Sequence, residues 1–166
     1  MYITFSDYYN LTDSGLKDER LFESLCYEAC RVMDIHTTGI DNVKKLKRFF
    51  PADPDNAEAV KRCAVKLVNT LYEIHQAEMA AAMSRNYTQT DQGLRRQIIS
   101  RVEAGNEAIT YSETKTGNTM IDAAAADRTE RKKLLSGIVW DYLRGIDDAN
   151  GVNLLYMGMY PRRYLC

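Results

Sequence analysis

The sequence reads as mainly α: a small helical bundle of three to four main helices with one inserted β-hairpin, all in a single domain over residues 1–166. Three patterns lead there. Apolar residues recur at i, i+3, i+4 over three long stretches, the spacing of one buried helical stripe. A single stretch, Gln97 to Glu113, alternates about a Gly-Asn pair as a hairpin does. Gly- and Pro-bearing breaks separate these segments.

In chain order, Met1 to Asp13 is an aromatic-rich lead (Tyr2, Phe5, Tyr8, Tyr9), too short for a long helix and expected to lie across the body of the domain. The first helix is expected at about 16–35. Leu21, Phe22, Leu25, Cys26, Ala29, Val32 and Met33 form its stripe, with Lys17, Asp18, Glu19, Glu23, Glu28 and Arg31 opposite. Gly39 suits a position near its C-cap. A shorter helix at about 41–50 carries Lys44, Lys45, Lys47 and Arg48 and stops at Pro51-Ala-Asp-Pro54. Asp55 and Glu58 resemble a capping pair for the longest helix, about 56–83, with the stripe Val60, Ala64, Leu67, Val68, Leu71 and Ile74.

Ser84 to Arg96 is polar and is expected to be a loop. The hairpin, about 97–113, turns on Gly105-Asn106, because a type II′ turn needs φ > 0 at its first central position. That register pairs Ala104 with Glu107, Val102 with Ile109 and Ser100 with Tyr111. Ile98, Val102, Ile109 and Tyr111 then share one face, and Arg101, Glu103, Thr110 and Ser112 the other, with Ile99 the one dissenter. A lone two-stranded hairpin is marginal in water, so it needs a helix or a neighbouring subunit to lean on.

Thr114 to Thr119 is a second polar connector. Ala123 to Ala126 is helix-prone but buries little alone and is expected to order against a partner. Asp127 and Glu130 resemble a cap for the last helix, about 127–144, with Leu134, Leu135, Ile138, Val139, Tyr142 and Leu143 on its stripe. An apolar segment, 152–160, and the basic pair Arg162-Arg163 follow.

A hydrophobic share of 45% and a charged share of 27% are those of a globular chain. No signal peptide is expected, since Met1 to Asp7 has neither a basic segment nor an apolar run. No stretch reaches the ~20 apolar residues that span a bilayer, so no membrane partner is expected. A net charge of −1 gives no case for whole-chain attraction to nucleic acid. The cysteines, Cys26, Cys30, Cys63 and Cys166, form no disulfide framework and lack the zinc-knuckle spacing; buried free thiols in a reducing compartment are the simpler reading.

His36 and His75 have no Cys, Ser or Glu at a spacing that suggests a triad or a metal site, and read as structural or surface residues. No Gly-rich phosphate loop occurs. An enzyme is therefore not expected, nor a cofactor, a metal site or catalytic residues. The run Lys44-Lys-Leu-Lys-Arg48 reads first as a solvated helix face. Its alternative is a DNA contact through Lys44, Lys45, Lys47 and Arg48, which would make the chain a small helical DNA-binding regulator.

The order of these parts resembles the tailed-phage and prophage head–tail connector proteins, also called adaptor or head-completion proteins. Phe22, Leu25, Ala29, Met33-Asp34 and Thr37 are similar to that family's helix ending in an apolar-Asp-x-x-Thr pattern. Val60-Lys-x-x-Ala64 is similar to the opening of its long core helix. Ile99-Ser-x-Val102 and Ile109-Thr-Tyr-Ser112 flank the Gly turn. Tyr142-Leu143-x-Gly145 and then Leu154-Leu-Tyr-x-Gly-Met159 are similar to its closing helix and terminal segment. The matches span most of Leu16 to Met159, and their order carries more weight than any one of them. Thr114 to Ala126 is longer than a minimal linker. Met157 stands where the family often has Arg, so a contact made there would fall to Arg162 or Arg163.

The resemblance implies a structural virion protein, made in the bacterial cytoplasm and placed at the head–tail interface. Its partners would be its own copies in a closed, twelvefold ring, the portal protein above, and a tail-completion or stopper protein below. DNA would pass through without sequence-specific contact. The expected subunit and portal contacts are Ile98, Val102, Ile109 and Tyr111 of the hairpin, with Leu154, Leu155, Tyr156, Met159, Arg162 and Arg163 of the terminal segment.

Overall fold

A computed structural model describes residues 1–12, 15–83, 87–90, 93–103, 108–113 and 120–164. The protein is mainly helical, with α1 (Phe5–Leu11), α2 (Glu19–Thr37), α3 (Lys45–Arg48), α4 (Pro54–Met83), α5 (Met120–Ala126) and α6 (Arg128–Leu143). A 3₁₀ turn follows at Arg162–Tyr164. The chain divides into two compact units, one formed by Met1–Tyr72 with Leu135–Cys166 and the other by Glu73–Leu134.

The first unit holds the apolar core. The stripe expected on α2 is buried at Phe22, Leu25, Cys26, Ala29 and Met33, with Leu21 and Val32 packed at its edge. The long helix buries Val60, Ala64, Leu67, Val68 and Leu71, together with Cys63 and Val65. On α6, Leu135, Ile138, Val139 and Leu143 are buried, but Tyr142, expected on the same stripe, stays 38% exposed. The aromatic lead is itself a helix. Thr4 and Asp7 form a capping box around its first turn, each satisfying an amide that the helix leaves orphaned. Tyr8 and Phe5 of α1 pack against Phe22 at 5.0 and 5.2 Å between ring centroids, and the Tyr8 hydroxyl donates to Asn69 Oδ1 at 2.5 Å.

Asp127 caps α6 as expected, accepting the Thr129 amide at 2.6 Å, but the starts of α2 and α4 differ from the sequence reading. Asp18 accepts from the amides of Arg20 and Leu21, so α2 begins three residues later than the apolar pattern suggests. Asp53, not Asp55, caps α4, taking the amides of Asp55 and Asn56 at 3.0 Å each, with Pro54 at the first helical position, where its missing N–H costs nothing. The helix expected at 41–50 shrinks to the single turn Lys45–Arg48.

In the second unit, Tyr87–Thr90 (β1), Gly93–Glu103 (β2) and Ala108–Glu113 (β3) form an antiparallel ladder in the order β1-β2-β3. Strand thus occupies part of Ser84 to Arg96, which reads as loop in the sequence. The ladder sets Val102 opposite Ile109 and Ile99 opposite Tyr111, with a register shift between Ile99 and Arg101. Ser100, expected opposite Tyr111, falls in that shift, as a bulge places two residues against one. The expected Gly105-Asn106 turn and the Ala104–Glu107 pair lie outside the described residues. The helix at Met120–Ala126 buries Ala124, and Arg131 of α6 donates through Nε to Ala124 O at 3.1 Å while pairing with Glu78 of α4. The Ala-rich segment therefore orders against its own chain.

Candidate functional site

The most specific arrangement in the first unit is the way residues 145–164 are fastened across the end of α2 and α3. The turn after α6 uses Gly145 and Gly151, both at positive φ (82° and 73°). Asp148 closes that turn by accepting from the amides of Asn150 and Val152 at 2.8 and 3.0 Å. Leu154 and Leu155 then enter the core. Beyond them the chain runs along Gly39 and Ile40, whose amide donates to Met157 O at 3.1 Å. A Cβ on Gly39 would sit 2.6 Å from Gly158 O, so glycine is required here for close approach and not for a helix C-cap, which is the extended Thr38.

Buried charge locks the segment. Lys45 is 1% exposed, and its ammonium donates to Asn153 O at 3.1 Å and to Tyr156 O, with the Tyr156 ring 5.9 Å away. Burial pulls the Lys45 pKa down, and the nearby Asp148 and Asp41 carboxylates oppose that pull. Asp41 accepts the Tyr160 amide at 2.6 Å, and that bond holds its carboxyl below the usual range. The buried Tyr160 donates its hydroxyl to Asp148 Oδ2 at 2.5 Å and accepts from Asn150 at 3.0 Å. Burial first, and Asp148 second, push its pKa up to about 12.

This geometry changes several expectations. Leu154 and Leu155 fill their own unit's core at 0% and 7% exposure and leave little surface for a neighbour. Lys45, expected at a DNA contact, is spent on backbone carbonyls, whereas Lys44, Lys47 and Arg48 are exposed. Tyr156, Met159, Arg162 and Arg163 are also exposed. Val102, Ile109 and Tyr111 lie on the β2–β3 ladder as expected, but Ile99, the expected dissenter, is the residue opposite Tyr111, and Ile98 pairs with Ser112 on the other face, because the register shifts between Ile99 and Arg101. The segment presents Tyr156, Met157 and Met159 outward at 51%, 48% and 56%, beside Ile40 at 72%.

The structure also joins two parts that look unrelated in the sequence. Phe49, at the end of α3, stacks on Tyr160 with centroids 4.8 Å apart and planes 6° off parallel. Tyr164 meets Tyr160 edge-on at 6.3 Å. Arg48 lies over Phe49 at 5.4 Å, and Arg163 over Tyr164 at 4.6 Å. The basic run and the basic tail thus end on one aromatic ladder.

Other polar groupings are local. His36 and Ser136, 100 residues apart in sequence, meet at 2.9 Å between α2 and α6. Burial holds the His36 pKa below its ordinary value. Cys26, Cys30 and Cys63 are buried free thiols. Among the described residues, no group of three His, Cys, Asp or Glu side chains could hold a metal ion, and no helix is long and apolar enough to cross a membrane. A shallow groove of about 350 Å³ beside α1 is lined by Tyr2, Phe5, Asp7, Glu19, Phe22 and Glu23, among others. No family model, curated protein or solved structure matches the chain.

Proposed function

We propose that the protein is a structural head–tail connector: copies of the chain form a ring below a phage portal, extend the DNA channel and offer a platform to the tail. It is an interaction protein, not an enzyme, and in this reading it resides in the virion. The observation that carries the reading is the rigid apolar knuckle of Ile40, Tyr156, Met157 and Met159. Solvent-facing apolar side chains on a segment this firmly tied favour a protein partner, because little ordering entropy is left to lose on docking. The sequence resemblance supplies the identity of the partners: the chain's own copies, the portal, and a tail-completion or stopper protein. The hairpin belongs to the same reading, with the side of the ladder that pairs Val102 with Ile109 and Ile99 with Tyr111 laid against a neighbour.

Native mass spectrometry across rising concentration, followed by negative-stain imaging of the largest species, tests this. The expected result is a discrete high-order species with a central hole, or a ring that closes once portal is added. Met157→Asp with Met159→Asp should lower assembly about 10-fold or more, as loss of a central apolar contact does. Val102→Asp with Ile109→Asp should abolish it, and helical circular dichroism should persist in both variants. A monomer that neither assembles nor binds portal, or a dimer that selects one DNA sequence, would replace the connector reading with the small DNA-binding regulator.

A further inference from the structure

We infer that the knuckle of Ile40, Tyr156, Met157 and Met159 seats in the groove beside α1 of a second copy of this chain. The inference deepens the connector reading, which supplies its place in a ring; the contact itself rests on two surfaces of the first unit. One projects and is apolar: the knuckle side chains are 48–72% exposed on a segment fastened through Lys45 and Asp41. The other is the groove of about 350 Å³, near the lower bound of ~300 Å³ for ligand pockets, which suits a few side chains better than a whole segment. Its floor is aromatic, with Phe22 buried and Tyr2 and Phe5 half-buried. Methionine matches such a floor well, because its flexible thioether fills irregular gaps and makes favourable contacts with ring edges.

Charge and position favour a second copy as the occupant. Glu19 and Glu23, one turn apart on α2, stand exposed at the rim of the groove. Lys44 stands exposed beside the knuckle, since its backbone is bridged to Thr38 just before Gly39 and Ile40, and exposed Lys47 follows three residues on. Among the described residues none of these four side chains is in an ion pair, so the two acids and the two cations are open to each other. The third acid at the rim, Asp7, is already shared between Thr4 and Lys61 and takes no part. Opposite charges across a contact fix its register more than they raise its affinity. The two surfaces also lie toward opposite ends of α2. Glu19, Phe22 and Glu23 belong to its first turns and Ile40 follows its last, and 19 residues make that helix about 28 Å long. A fastened knuckle therefore cannot reach its own groove. A contact between unlike patches repeats head to tail, which is the geometry that closes rings.

The test is reciprocal charge reversal, read by native mass spectrometry of the full chain across rising concentration. Glu19→Lys with Glu23→Lys, and separately Lys44→Glu with Lys47→Glu, should each lower self-association about 10-fold, because like charges then face each other. An equimolar mixture of the two variants should restore it with both chains in equal number, since each reversed groove then meets a reversed knuckle. That rescue guards against a misfolded variant. Lys66→Glu with Lys132→Glu, an equal change of charge on exposed residues elsewhere, should leave association unaltered. Hydrogen exchange should slow on association at Thr4 to Tyr8 and Glu19 to Glu23 as well as at Tyr156 to Met159. A mixture that fails to restore association would overturn the inference, as would protection of the knuckle without the groove. So would a chain that stays monomeric at every concentration, which would leave the groove to a different partner. Rings that ignore both reversals would sink this contact and keep the connector reading. A filament or a reciprocal dimer that obeys them would keep this contact and sink the connector reading.

Discussion

The helical core and the clasped terminal segment of the first unit are held together by opposite means. The core is a stack of apolar stripes in which Phe22, Met33, Val60, Leu67, Val68 and Val139 are at most 1% exposed. The clasp places a lysine, two aspartates and a tyrosine where the chain folds back, each satisfied by a backbone or side-chain partner. The core is non-directional and tolerates small shifts, since burial scales with area. The clasp is directional and fixes one path for residues 152–160, because an ammonium held by two carbonyls has few alternatives. The contrast suits a protein that must stay folded through one region and present a fixed surface through the other.

The comparison can be broken first on the core side. Leu67→Ala or Phe22→Ala should cost about 3–5 kcal/mol, the transfer term plus a cavity. In a chain of this size that lowers Tm by about 2–4 °C per kcal/mol. Both changes should leave the ratio of terminal-segment to core protection unaltered in hydrogen exchange. On the clasp side, Lys45→Met keeps the volume but orphans Asn153 O and Tyr156 O and leaves Asp41 and Asp148 without their cation. A loss of about 2–4 kcal/mol is expected. Amides of 152–160 should exchange faster while those of α4 do not. A neutral Lys45→Met would mean that the clasp is held by shape alone.

Smaller effects sharpen the same contrast. Gly39→Ala drives a Cβ against the Gly158 carbonyl, a rigid backbone atom, and should cost about 1–3 kcal/mol by pushing two segments apart. Tyr160→Phe removes the hydroxyl that Asp148 accepts and should cost about 1–2 kcal/mol while keeping the Phe49 stack. Its expected signature in thermal melts is a loss close to that of Asn150→Ala combined with it, since both act on one hydroxyl.

The core was legible because helical burial repeats locally: Val60, Ala64, Leu67, Val68, Leu71 and Ile74 announce a buried face through their spacing alone, and all six are buried. The clasp was not. Lys45 sits in a run of four cations and reads as solvated, and only partners 108 and 111 residues away turn it inward. The Phe49–Tyr160 stack has the same origin, as two aromatics far apart in sequence carry no mutual signal. Leu154 and Leu155 read as apolar in the sequence, yet their direction, inward rather than toward a neighbour, is fixed only where the returning chain meets the core. Tyr142 departs from its expected stripe because a helix-wide period cannot say how wide the buried face will be. The cap at Asp53 is hidden in the sequence because Pro54, at the helix start, reads first as a stop signal.

The smallest effect concerns pH and separates burial from hydrogen bonding at the α2–α6 contact. Burial depresses the His36 pKa below its ordinary value, so the folded protein favours the neutral ring. The unfolded chain then takes up a proton first as pH falls, and stability rises with pH wherever the unfolded state binds more protons. The contribution is full above about 6.5, the unfolded value, and is lost as pH falls toward the depressed folded value. His36→Gln should flatten stability between pH 7.5 and 5.5, measured by urea midpoints. Ser136→Ala removes the bond at 2.9 Å and should cost about 0.5–1.5 kcal/mol at every pH, yet leave the slope in place. If the slope vanishes with Ser136 instead, the hydrogen bond and not burial sets the His36 titration, and the α2–α6 contact joins the clasp as a polar lock.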